Sequence, residues 1–225
     1  MLPTPGSTER TRGNRLYDRN SDSRDLMYEI LDSTVLCHIG YVENGVPFVL
    51  PYGYARDGDH LLIHGSSGAR FMRAMANGAT ICVTVTKLDG IVLARSTFDS
   101  SMNYRSVMVI GVAEQIEGPE KARLLDVLSD GLIPGRVAEV RSSAKKELAA
   151  TILLRLPLTE ASVKVRAGGV DEDMAGYQDE AAYNSVWAGV IPLTTVAGTP
   201  IPADSAAAEL ELPPSVTAYL QNPKA

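Results

Sequence analysis

The sequence predicts a mainly β protein, an antiparallel barrel with peripheral helices, and three observations carry that prediction. Two β-branched apolar runs, Ile81–Thr86 and Val107–Val112, bracket a polar stretch and have the composition of paired strands. Asn44-Gly45 and Asp57-Gly58 separate further apolar runs, and such pairs supply the positive φ that tight hairpins need. The strand-like runs are not interleaved with long helical patterns, which argues against a doubly wound parallel sheet.

The elements follow in order. Residues 1–23 are polar, with Pro3, Pro5, Gly6 and Gly13, and are expected to form an extended or poorly ordered arm. Asp22 or Ser23 then caps a helix over Arg24–Ser33, with Leu26, Met27, Ile30 and Leu31 on one face. Val35–Val42 and Val46–Ala55 read as a hairpin, and His60–Gly65 as the third strand of a meander. Ser66–Gly78 reads as a short helix that opens on two capping serines and stops at a glycine. Ile81–Thr86, Ile91–Ser96 and Ser106–Glu117 are the next strands. Pro119–Asp130 and, more weakly, Ala138–Ala149 are helical, and Thr151–Pro157 and Ser162–Arg166 complete the sheet. VWAGVIPL, Val186–Leu193, is an apolar island with the only tryptophan, and the Pro- and Ala-rich tail is expected to meander over the surface. The organisation is thus an arm over 1–23, a main domain over 24–195 and an extension over 196–225.

Composition narrows the partners. A chain of 225 residues with 45% hydrophobic content can bury an ordinary core. Its net charge of −6 argues against a nucleic-acid or anionic-membrane partner, which needs a basic face. No apolar stretch is long enough to span a bilayer and the N-terminus has no signal-peptide core. Cys37 and Cys82 sit in apolar runs without metal spacing, as expected of buried thiols in a reducing cytoplasm.

The residues that carry chemistry suggest an anion site. His64 closes a predicted strand, and Gly65, Ser66 and Ser67 follow, with Arg70 in the next helical turn. Free N–H groups, hydroxyls and a guanidinium together make a phosphate cradle; the alternative is a capped helix with a solvated arginine. Arg95-Ser96 and Asn103-Tyr104-Arg105-Ser106 flank a predicted loop and serve either the same anion, a partner chain, or loop hydrogen bonding and a surface ion pair. His38 and His60 have no partners at ligand spacing, and three histidines alone make no ordinary zinc site, so no metal is expected. The loop motifs of dinucleotide and nucleoside triphosphate sites and the G-x-S-x-G elbow are absent.

Taken in order, seven segments resemble a known family. They are YDR (Tyr17–Arg19), the hairpin end Pro47–Tyr52, GDHLLIHGSSGAR (Gly58–Arg70), TVTKLDGIVLARS (Thr84–Ser96), NYRSVMVIG (Asn103–Gly111), SVKVR (Ser162–Arg166) and VWAGVIPL. Over about residues 15–195 the chain is similar to the pyridoxamine 5′-phosphate oxidase-like flavoproteins, on the branch related to the 5-nitroimidazole-resistance (Nim) reductases. The resemblance implies a split β-barrel homodimer with FMN at the subunit interface. It implies that Ser66 and Arg70 hold the FMN phosphate, with Gly65 in the cofactor site and Tyr104, Arg105 and Ser106 nearby. Leu50, Pro51, Tyr52, Val83 and Thr84 would lie along the ring, and Trp187 would pack on it from the partner. It places His64 beside the flavin as the one candidate catalytic group, orienting a substrate or donating a proton. TFDSSM stands where some relatives carry histidines, and the substrate motif of the true oxidases is not recognisable, so vitamin B6 oxidation is not expected. The implied activity is a cytoplasmic FMN-dependent oxidoreductase that takes electrons from NAD(P)H and reduces a small electrophile such as a nitroaromatic or quinone. The alternatives are a non-catalytic flavin- or haem-binding module, or a deazaflavin F420-dependent reductase.

Overall fold

A computed structural model describes residues 2–224. Ten strands make one antiparallel sheet: β1 (Asn20–Ser21), β2 (Leu36–Glu43), β3 (Val46–Asp57), β4 (His60–Ser66), β5 (Thr80–Leu93), β6 (Ser101–Val112), β7 (Glu114–Gln115), β8 (Thr151–Pro157), β9 (Ala161–Arg166) and β10 (Gly189–Pro192). Their order is β1-β9-β6-β5-β2-β3-β4-β8-β7, with β10 added along the second half of β5. The helices are α1 (Arg24–Asp32), α2 (Arg70–Ala76), α3 (Pro119–Leu132), α4 (Lys145–Ala150), α5 (Glu180–Asn184), α6 (Ser205–Ala208) and α7 (Pro214–Gln221).

The sheet rolls up because β6 runs on through Ala113 into β7, and β7 pairs with β8 from the opposite half. Alternation along each strand points one set of side chains into the roll. Ile39, Val83, Val109, Leu61 and Leu154 fill it, and α1 plugs it with Met27, Ile30 and Leu31. Each such side chain, taken wholly out of water, contributes roughly 1.5–3 kcal/mol. Tyr54 joins α1 to the wall, its hydroxyl donating to the Leu31 carbonyl at 2.6 Å. Outside the roll, α3 covers one half, laying Leu124 and Leu128 on Ala55, Leu62 and Leu153.

The meander and its turns stand as the sequence predicts. Asn44 and Gly45 take φ of 52° and 78°, the pair of positive values that a two-residue hairpin requires. Ser23 is the cap of α1, its side chain accepting from the Leu26 N–H. Several boundaries differ. Ile81–Thr86 and Ile91–Ser96 are not two strands but one, β5, with a bulge at Asp89 that bends it without breaking it. Asn103–Ser106 lie inside β6, not beside a loop. The helix expected from Ser66 begins only at Arg70, because Ser66 and Ser67 still bond to the end of α4 and the start of β8. The helix expected over Ala138–Ala149 is instead a 3-10 turn at Arg136–Glu139, an irregular stretch and then the short α4 at Lys145–Ala150.

The N-terminal arm is folded back against the sheet. The Gly6 N–H donates to the Ala161 carbonyl at 2.7 Å, Arg10 pairs with Glu160, and β1 pairs with β9. It covers an edge strand that would otherwise offer free backbone groups. The C-terminal tail also docks: Ser215, on α7, donates to Glu139 from its backbone at 2.9 Å and from its hydroxyl at 2.5 Å.

Cys37 is fully buried inside the roll, and burial pushes its thiol up to about 12. At pH 8 its thiolate fraction is on the order of one in ten thousand, since the thiolate is the reactive form. Cys37 is therefore expected to stay unmodified when the native protein is alkylated and to react fully in denaturant. Mass mapping of the alkylated peptides checks this.

Candidate functional site

The half of the sheet not covered by α3 turns its outer side outward. Residues opposite one another in the ladder share a face, so the pairings Thr84–His38–Pro51, Cys82–Gly40–Val49, Met108–Ser162, Ser106–Lys164 and Tyr104–Arg166 define that face row by row. It is largely apolar, with Leu36, Val42, Val49 and Val112 all exposed. Among the described residues, no aspartate or glutamate occupies an outward position in these rows. Pro51, Thr84, Tyr104 and Ser106, all expected at the cofactor, share this face, with Pro51 and Thr84 in one row of it and Tyr104 and Ser106 in others.

A second group gathers on the other side of β3, beside α2. Phe48, Leu50 and Tyr52 line up along β3, and Tyr52 packs on Phe71 of α2 with ring centroids 5.2 Å apart. Gly65 lies beneath them, where an added Cβ would come within 2.7 Å of Met72 and 3.5 Å of Tyr52. A larger residue here would force the Met72 side chain of α2 to move. Arg70 opens α2 with its guanidinium over Phe48, 5.3 Å from the ring centroid, and makes one long contact of 3.4 Å to Glu43. Its side chain is 66% exposed, so the charge is free to turn toward a ligand. Arg73, one turn on, is exposed and has no ion pair among the described residues; the sequence reading missed it. No serine caps α2: Ser66 Oγ accepts from the Gly68 N–H at 3.2 Å, and the N-cap residue is Ala69. The cradle expected from capping serines is therefore a strand end followed by two arginines.

Other expected site residues lie apart from both groups. Val83 points into the core and is fully buried, so only its backbone can reach a ligand. Arg105 makes a two-pronged contact to Asp89, at 2.9 Å through each of two nitrogens, and a third to Glu29 at 3.3 Å. The bulge turns Asp89 toward it, and the bond to Asp89 raises the guanidinium further above its ordinary range. Arg95 is likewise engaged by Glu172 at 2.5 Å and stacks on Tyr183. Both arginines hold the chain together rather than standing open. Trp187 is 65% exposed, folded onto Gly189 just ahead of β10.

His64 sits on the outward side of β4, opposite Leu153 in the ladder to β8. Its Nδ1 is buried with no hydrogen-bond partner among the described residues. Burial lowers its pKa below the ordinary 6.5, so the ring is neutral at pH 7. Because the folded-state value is the lower one, His64 opposes folding only once it is charged. Stability is therefore expected to be full above pH 6.5 and to fall as the pH drops below it, less steeply in His64→Gln. Thermal melts of both proteins between pH 8 and 5 check the difference.

These residues fit a flavin and a second ligand. A flavin needs a cationic seat for phosphate and an apolar strip for its ring, and Arg70, Arg73 and the Phe48–Leu50–Tyr52 strip offer both. A neutral imidazole with an unpartnered buried nitrogen is suited to a metal-bearing group or a hydrogen bond from a ligand. No cluster of His, Cys, Asp and Glu able to hold a bare metal ion occurs among the described residues. No described helix is long and apolar enough to cross a membrane.

Comparison with known proteins places this architecture. A family model described as pyridoxamine 5′-phosphate oxidase matches residues 23–165. A structure of the FAD and heme binding protein from Mycobacterium smegmatis is 44% identical, with a TM-score of 0.83 over 89% of this chain and 96% of that one. The flavocytochrome Anf3 from Azotobacter vinelandii is 37% identical, with a TM-score of 0.84 over 96% and 98%. A protein described as a 5-nitroimidazole antibiotic resistance protein from Bacteroides thetaiotaomicron is 20% identical over 65% of this chain and 86% of that one, with a TM-score of 0.55, and shares the fold. No match was found among curated protein sequences. The chain belongs to the pyridoxamine 5′-phosphate oxidase family of flavin-binding split-barrel proteins.

Proposed function

We propose that this protein is a redox protein that binds a flavin beside α2 and a haem through His64, and passes electrons from a reduced nicotinamide through the flavin to the haem or to a small acceptor. One observation carries the reading. The likeness to the flavocytochrome covers 96% of this chain, so it necessarily takes in the part after Arg166, which the family match does not reach. The likeness to the nitroimidazole-resistance protein covers only 65%. The likeness to the FAD and heme binding protein, over 89% of this chain, supports FAD over the FMN expected from the sequence, and both likenesses support haem over a nitroaromatic electrophile. Both flavins ask the same of Arg70 and of the apolar strip, a charged donor at the phosphate and a flat apolar surface at the ring.

The flavin and the haem supply the redox chemistry when bound. The chain's own residues do the rest. Arg70 and Arg73 neutralise phosphate charge, and Phe48, Leu50 and Tyr52 exclude water from one side of the ring. His64, kept neutral by burial, offers a ring nitrogen to the iron. Leu36, Val42, Val49 and Val112 stand exposed on this one face, as at a surface that meets a partner, which supports a homodimer closed over it. The test is the absorption spectrum of the purified protein, with mass identification of what heat releases. FAD and a Soret band are expected. FMN alone, with no Soret band after haem is added, would return the reading to the nitroreductase type.

A further inference from the structure

We propose that Lys164 and Arg166 of β9, with the hydroxyls of Tyr104 and Ser106 on β6, form a second anion site, which takes the diphosphate of a dinucleotide lying across the outward face. The proposal rests on the reading of this chain as a flavin-dependent redox protein. The register places Ser106 opposite Lys164 and Tyr104 opposite Arg166, so the four residues occupy a square of neighbouring positions on one face of the sheet. Many of the chain's arginines are already neutralised. Arg56, Arg95, Arg105, Arg141 and Arg155 each meet a carboxylate. Lys164 and Arg166 meet none within ion-pair distance among the described residues, in a chain whose net charge is −6.

Arg166 is held without being neutralised. Its guanidinium donates to Asn103 Oδ1 at 2.6 Å and to the Gly169 carbonyl at 3.2 Å, and Asn103 donates in turn to the Gly168 carbonyl at 2.9 Å. Neutral acceptors orient a guanidinium while leaving its charge for a ligand, which lowers the ordering cost of binding. This gives a use to Asn103 and to the S-V-K-V-R run, which the flavin phosphate seat leaves without one. The square is also distinct from that seat. From β9 to β3 the sheet counts four strand steps, a path on the order of 19 Å at the usual strand spacing. The first seat, with Arg70 over Phe48, also lies on the other side of the sheet from this face. The two sources of a diphosphate are FAD, shared with a second copy of the chain, and the reduced nicotinamide dinucleotide.

The test uses the full-length protein and the double variant Lys164→Gln/Arg166→Gln, with Lys164→Arg/Arg166→Lys as the charge-preserving control. Binding of FAD, FMN, NADPH and inorganic pyrophosphate is measured by fluorescence titration and calorimetry. A loss of about tenfold or more for FAD but not FMN, restored in the control, assigns the site to the flavin diphosphate. The same loss for NADPH, with both flavins unchanged, assigns it to the electron donor. Equal weakening of FMN and FAD would merge the square with the first phosphate seat and overturn the proposal. So would affinities within about twofold of the parent for all four ligands. If the parent binds no flavin, the functional reading fails by itself; loss of NADPH and pyrophosphate binding in the variant would still support this site, and retention would overturn it.

Discussion

His64→Ala is expected to abolish the Soret band of the haem-loaded protein while leaving its flavin in place. The expectation follows from the position of the residue. Of the three histidines, only His64 has a buried ring nitrogen without a partner among the described residues, and burial lowers its pKa. Iron takes the neutral imidazole, so a histidine that burial keeps uncharged at pH 7 loses no affinity to protons there. His38 lies on the exposed outward face between Pro51 and Thr84, and His60 opens β4 at the far end of the strand. Neither shows a buried ring nitrogen without a partner among the described residues. Titrating haem into His64→Ala and His38→Ala and recording the Soret absorbance checks the assignment. A retained Soret band in His64→Ala, with slowed turnover, would instead give His64 the proton-donating role expected from the sequence.

Arg70→Ala is expected to weaken flavin binding by about 10- to 100-fold, the cost of one charge-assisted contact to a phosphate. The guanidinium now leans on Phe48 and reaches Glu43 at only 3.4 Å, so little holds it away from a ligand. Arg73, three residues on, retains part of the charge, and Arg70→Ala/Arg73→Ala is expected to lose more than either single change. Equilibrium titration of flavin fluorescence measures all three. Arg105→Ala gives a contrasting result: it leaves Asp89 and Glu29 without their cation and is expected to lower the melting temperature more than the flavin affinity.

The parts of the fold that follow local rules were legible in the sequence. Asn44-Gly45 dictates its own turn, and the alternation in Val35–Val42 and Val46–Ala55 sets which side chains enter the core. Misreadings arose where a local signal competes with a distant one. Lys87-Leu88-Asp89-Gly90 looks like a turn, yet pairing with β6 on one side and β10 on the other carries the strand through it as a bulge. Ser66 and Ser67 look like helix caps, but pairing with Thr151 and the bond to Ala150 keep them extended.

The candidate site was legible by residue type and hidden in its arrangement. Arg70 and His64 stood out because a cation and an imidazole follow a strand end. Arg105 looked equally available, and only the bulge shows that Asp89 claims it. Lys164 and Arg166 were visible as an alternating Ser-Val-Lys-Val-Arg run, which places both on one face. What the run does not reveal is the neighbour, since pairing with Ser106 and Tyr104 joins segments about sixty residues apart in sequence.

The central claim is that one chain holds a flavin and a haem and moves electrons between them. It is tested most directly by anaerobic rapid mixing of the fully loaded protein with NADPH, following the flavin and Soret bands together. The account predicts that the flavin bleaches first and the haem is reduced from it, without added mediator. A flavin that is reduced while the haem stays oxidised until dithionite is added would contradict it.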